Sequence, residues 1–172
     1  MRSESIEAVG SDGLGLRLEF RWHSDRYAHL ISRIEPGRDP EPLLESIEGA
    51  TSNTWPPSPP LQSLTFQTLP NGVSAALLVG MAGRSHWSAS IEAVPNTADL
   101  IFDVACRHSD RPLYLGSQYR ILASAEKTFV VRGLDSEIHQ QAERLLIQPQ
   151  MATAGSPTTR WKFVVSLNST EY

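Results

Sequence analysis

The hydrophobic positions of this chain alternate far more often than they recur with a helical period. Leu16, Leu18, Phe20 and Trp22 interleave with Arg17, Glu19, Arg21 and His23, the pattern of a strand with one buried and one wet face. Ser24-Asp25-Arg26 turns the chain. Tyr27–Ile34 then predicts a returning strand, although Leu30, Ile31 and Ile34 also fit a helical period over 27–35. Leu43, Leu44 and Ile47 form a short apolar stretch within 42–48 that suits either element.

The densest signal lies between Val73 and Arg107. Three runs, 74–82, 86–94 and 99–107, are separated by Gly83-Arg84-Ser85 and Pro95-Asn96-Thr97-Ala98, connections short and rich in turn formers. Folding the first hairpin about Arg84 pairs Met81 with Trp87, Val79 with Ala89 and Leu77 with Ile91. Folding the second pairs Trp87 with Cys106, Ala89 with Val104, Ile91 with Phe102 and Ala93 with Leu100. Both predict an antiparallel meander with one apolar face, because a slip of one residue would turn every side chain over. His86, Ser88, Ser90 and Asp103 fall on the opposite face.

Further alternating runs at Leu64–Leu69, Leu113–Leu115, Tyr119–Ala123, Thr128–Arg132 and Trp161–Leu167 predict more strands. Ser136–Ile147 reads as the one helix: Ser136 is a cap, Glu137 sits in the first turn, and Ile138, Ala142, Leu145 and Leu146 share a helical face before Pro149. Trp55-Pro56-Pro57-Ser58-Pro59-Pro60 is a stiff, donor-poor crossover anchored by Trp55. Ala154-Gly155-Ser156-Pro157 is a loop. The polar residues 1–14 read as a mobile N-terminal lead-in, and 15–172 as a single β domain with the proline-rich crossover at 55–60. The class is therefore mainly β, an antiparallel β-sandwich or flattened barrel with one helix at about 136–147.

Composition narrows the partners. With 15 basic against 19 acidic side chains, the net charge is −4 and the chain lacks the basic stripe of a nucleic-acid binder. No stretch approaches the ~18 apolar residues of a membrane span. Cys106 is the single cysteine, so no intramolecular disulfide forms; on the apolar face of its strand it reads as a small hydrophobe. These features predict a cytoplasmic protein.

Candidate chemistry is sparse. The register sets Ser90 opposite Asp103 and His86 opposite Arg107, which brings a Ser, a His and an Asp within about 5–8 Å of one another. Those are the residue types of nucleophilic hydrolysis, but neighbours on a flat face project in parallel, and no nucleophile elbow surrounds Ser88 or Ser90. His23, Asp25 and His29 are metal-capable, yet nothing nearby supplies a fourth ligand, so no metal site is predicted. Gly80-Met81-Ala82-Gly83-Arg84-Ser85 has too short a gap between its glycines for a phosphate-binding loop, and Arg where that loop has Lys. No cofactor is predicted. The expected function is a non-enzymatic β-sandwich module that binds a protein or small ligand through a sheet face or hairpin tip, with Arg84, Ser85, His86 and Arg107 as contacts. The alternatives are a small serine-type hydrolase using His86, Ser90 and Asp103, and a structural subunit of a larger assembly.

Overall fold

The computed structural model describes residues 4–122, 128–150 and 156–168. Thirteen strands run in chain order: β1 Glu4–Val9, β2 Gly15–His23, β3 Arg26–Ile34, β4 Glu41–Ser46, β5 Ser63–Thr68, β6 Ser74–Ala82, β7 Ser85–Val94, β8 Asp99–Arg107, β9 Ser117–Ile121, β10 Phe129–Gly133, β11 Ser136–Gln141, β12 Arg144–Pro149 and β13 Thr158–Leu167. They form two antiparallel sheets, a seven-stranded one in the order β1-β2-β3-β4-β9-β12-β11 and a six-stranded one in the order β10-β13-β8-β7-β6-β5. The expectation of a mainly β sandwich is met. Residues 1–3, Ala123 and the Ala154-Gly155 part of the expected loop lie outside the described residues.

The core is the space between the sheets. Leu16, Leu18, Phe20, Ile31 and Leu44 of the first sheet face Trp87, Ile91, Phe102, Val104, Trp161 and Phe163 of the second, all buried. Phe102 and Phe163 stack with ring centroids 4.6 Å apart. The indole N–H of Trp161 donates to Ser117 Oγ at 3.0 Å, so the largest core side chain leaves no unpaired donor.

The pairing of β7 with β8 follows the sequence expectation residue for residue, from Trp87 with Cys106 to Ala93 with Leu100. The β6–β7 pairing does not. Ala82 pairs with Ser85 across a two-residue turn, Gly83-Arg84, with Gly83 at φ 56. The register is therefore one residue away from a loop centred on Arg84: Met81 pairs with His86, Gly80 with Trp87, Val79 with Ser88 and Leu77 with Ser90. Ala76 and Leu78 enter the core while Val79 and Met81 face outward. Two physical causes act together. A glycine that takes a positive φ permits the tight turn, and the inner side of β6 is crowded at position 80, where a Cβ would run into the Pro60 carbonyl oxygen. Only the residue without a side chain fits there.

Two further expectations are corrected. Residues 136–147 are not a helix but the β11–β12 hairpin, closed at Ala142-Glu143 with Ala142 at φ 51. β12 lies between β11 and β9, so its backbone is paired on both sides and Leu145 and Ile147 are buried. An isolated helix of that length is marginal in water, and the pairing and burial available in the sheet outweigh it. The lead-in is replaced at its described end by β1, whose Ile6 and Ala8 are buried and which pairs along its length with β2.

The proline crossover carries the chain from β4 in one sheet to β5 in the other and is packed down. Pro56, Ser58, Pro59, Pro60 and Leu61 are buried. Trp55 meets Trp87 and His108 edge-on, with ring centroids at 6.0 and 6.4 Å. Ser58 Oγ donates to the Gln118 carbonyl at 3.0 Å and accepts from the Gln118 N–H at 3.1 Å, fastening the crossover to β9.

Candidate functional site: the outer face of the six-stranded sheet

The outward side chains of β6, β7, β8 and β13 fall into rows set by the register. Met81, His86, Arg107 and Thr158 form one row; Val79, Ser88, Ala105 and Arg160 the next; Leu77, Ser90, Asp103 and Lys162 a third. Ser63 and Thr65 of β5 extend the second and third rows beyond β6. In the second and third rows the small side chains Ser88, Ala105 and Ser90 lie between larger ones, Val79 or Leu77 on one side and Arg160 or Lys162 on the other. The result is a trough along the strands. The part beside Met81, His86 and Arg107 has a volume of about 510 Å³. An adjoining depression of about 420 Å³ is lined by Leu77, Ser90, Asp103 and Arg160.

The two banks differ in chemistry. The β6 bank is apolar and wet, with Val79 55% and Met81 47% exposed. The β8–β13 bank is charged. Arg160 clamps Asp103 through Nη2, at 3.0 and 2.8 Å from its two oxygens. Arg107 is exposed and, among the described residues, takes part in no ion pair.

The expected contact residues do not all arrive on this face. His86 and Arg107 lie side by side in the first row. Arg84 stands at the hairpin tip, outside the trough, 3.8 Å from Asp110. Ser85 is buried and offers no surface to a partner.

The hydrolase constellation keeps its register, with Ser90 opposite Asp103 and His86 opposite Arg107, but the groups do not converge. Asp103 is engaged by Arg160, and among the described residues no hydrogen bond joins His86 to Ser90 or Asp103. Burial pushes the Cys106 thiol up to about 12, so this buried sulfur stays protonated and is a poor nucleophile at neutral pH. Among the described residues no group of His, Cys, Asp and Glu is arranged to hold a metal ion. His23 and His29 sit on opposite faces of their hairpin, His29 buried opposite Phe20 and His23 exposed.

Sequence reasoning missed a buried polar network at one end of the core. His29 Nε2 and the Tyr119 hydroxyl are 2.8 Å apart. The backbone N–H of His29 donates to Ser46 Oγ at 2.8 Å, and Ser46 Oγ donates in turn to Glu48 Oε1 at 2.5 Å. Arg26, 1% exposed, adds its charge near Glu48 and holds Asp25 through Nε at 2.7 Å. Burial pushes the Glu48 carboxyl up to about 7 against the opposing Ser46 hydrogen bond and Arg26 charge. Burial holds the His29 imidazole down to about 4, and burial together with the Glu48 charge raises the Tyr119 phenol. Arg26 Nη1, His29 Nδ1 and Glu48 Oε2 are buried without a hydrogen-bond partner among the described residues. Nothing in local sequence sets Arg26 and Glu48 apart from ordinary solvated charges. Their burial follows from the crossover and the sheet order.

No known family, curated protein or solved structure matches this chain. The geometry of the trough and the network therefore carries the functional reading.

Proposed function

We propose that this chain is a non-enzymatic β-sandwich binding module that seats a protein or small ligand on the outer face of its six-stranded sheet. The observation that carries the reading is the pairing of an exposed apolar bank, Val79 and Met81, with Arg107, which has no ion pair among the described residues, across a floor of small residues. Water wets this apolar surface at a free-energy cost that a partner would relieve, and the exposed Arg107 guanidinium gives such a partner a polar anchor. The hydrolase alternative draws less support, because Asp103 is held by Arg160 rather than by an imidazole. A cytoplasmic location accords with a lone, buried Cys106 and no disulfide. Among the described residues no helix is long and apolar enough to cross a membrane.

The test is a selection for ligands, from displayed peptides and from a small-molecule set read by thermal shift, run in parallel on the native chain, Val79→Glu and Arg84→Glu. Ligands held by the native chain and by Arg84→Glu but lost by Val79→Glu support the sheet face. Ligands lost only by Arg84→Glu move the site to the hairpin tip, and ligands indifferent to both overturn the proposal. Ester hydrolysis that vanishes in Ser90→Ala would replace it with the hydrolase.

A further inference from the structure

Resting on that reading, we infer that the trough takes an extended peptide segment whose side chains alternate between aliphatic and acidic. Three features of the face lead to this class. Leu77, Val79 and Met81 project from one strand at every second residue, the repeat at which an extended peptide presents the side chains of one edge. A segment lying along the trough, with its pleat parallel to the sheet, would turn alternate side chains toward β6 and toward β8 and β13. The first set would meet aliphatic surface and the second would meet cations.

The charge supports the acidic half. Among the described residues of the three rows, Arg107, Arg160 and Lys162 stand on the far bank against one carboxylate, Asp103, in a chain whose net charge is −4. Asp103 is already engaged by Arg160, which leaves Arg107, lining the trough beside Met81 and His86, to receive an incoming carboxylate. The trough is open along its length, whereas a small-molecule site encloses most of its ligand. Ser88 and Ala105, on the floor, are small enough to let a second backbone approach the sheet.

The experiment uses the full chain and two blocked, fluorescent eight-residue probes, (Val-Glu)4 and (Val-Lys)4, with oleate as a third ligand. Anisotropy reads affinity, and amide chemical shifts of residues 77–81, 86–90 and 103–107 read location. The expected result is saturable binding of (Val-Glu)4 that shifts those amides and weakens with added salt. Arg107→Glu and Val79→Glu should each weaken it by about tenfold or more, with near-ultraviolet circular dichroism unchanged, and Arg107→Glu should gain affinity for (Val-Lys)4. If (Val-Lys)4 or oleate shifts the same amides of the native chain and (Val-Glu)4 does not, the trough binds ligands but the inference about their class is overturned. If none of the three shifts them, both the inference and the sheet-face reading are overturned.

Discussion

Gly80 of β6 lies directly against the carbonyl oxygen of Pro60, and this contact ties the facing of a central strand to a loop twenty residues earlier. With the Pro60 carbonyl and the Gln62 N–H against it, the inner side of β6 has no room for a Cβ at this position. The larger Val79 and Met81 therefore face out and create the apolar bank of the trough. Gly80→Ala should cost about 1–3 kcal/mol through overpacking against backbone that is pinned by the β5–β6 pairing. Val79→Thr, on the wet side of the same strand, should cost under about 0.5 kcal/mol. Urea midpoints of the two variants check the assignment, and equal costs would mean that the facing is reversed.

Phe102 provides the corresponding test for β8. It is 2% exposed and stacked on Phe163, so Phe102→Ala should lower stability by about 3–5 kcal/mol. Ser90→Ala, across the β7–β8 pair on the outer face, should change it by less than about 0.5 kcal/mol. The same denaturation series reads both.

The buried network predicts a pH signature. Glu48 titrates at about 7 in the folded chain against an ordinary 4.5. Between those values the folded state holds a proton that the unfolded state releases, so the Glu48 contribution falls as pH rises. His29 titrates at about 4 against an ordinary 6.5. There the unfolded state holds the extra proton, and the His29 contribution is lost as pH falls. From pH 4.5 to 6.5 the two slopes oppose and largely cancel. Relative to the native chain, Glu48→Gln should therefore become more stable with rising pH, by about 1 kcal/mol per pH unit, and His29→Gln less stable by a similar amount. Denaturant midpoints across that window measure the slopes, and slopes of the same sign in both variants would contradict the assignment.

Cys106 should be silent in the folded state. Its side chain is fully buried and burial raises its pKa. Iodoacetamide should leave the native chain unmodified at neutral pH and alkylate it stoichiometrically in denaturant, which intact mass spectrometry reads directly. Rapid labelling without denaturant would mean that β8 opens far more readily than its central place in the sheet implies.

Local sequence alone determined the mainly β class and the β7–β8 pairing, the latter because both strands alternate cleanly and admit one register. It placed His86, Ser90, Asp103 and Arg107 on a common outer face for the same reason. It could not orient β6, where Ala75–Ala82 is apolar or glycine at every position and either face suits a core. There the tight turn at Gly83 and the Pro60 contact decided. Residues 136–147 carry a helical period, and the strand won because β9 offers β12 a partner that no local signal reveals. The Arg26–Glu48 network is the clearest product of tertiary structure. Whether a charged side chain is buried depends on which distant segments cover it, and the sheet order that brings β3, β4 and β9 together joins residues ninety positions apart.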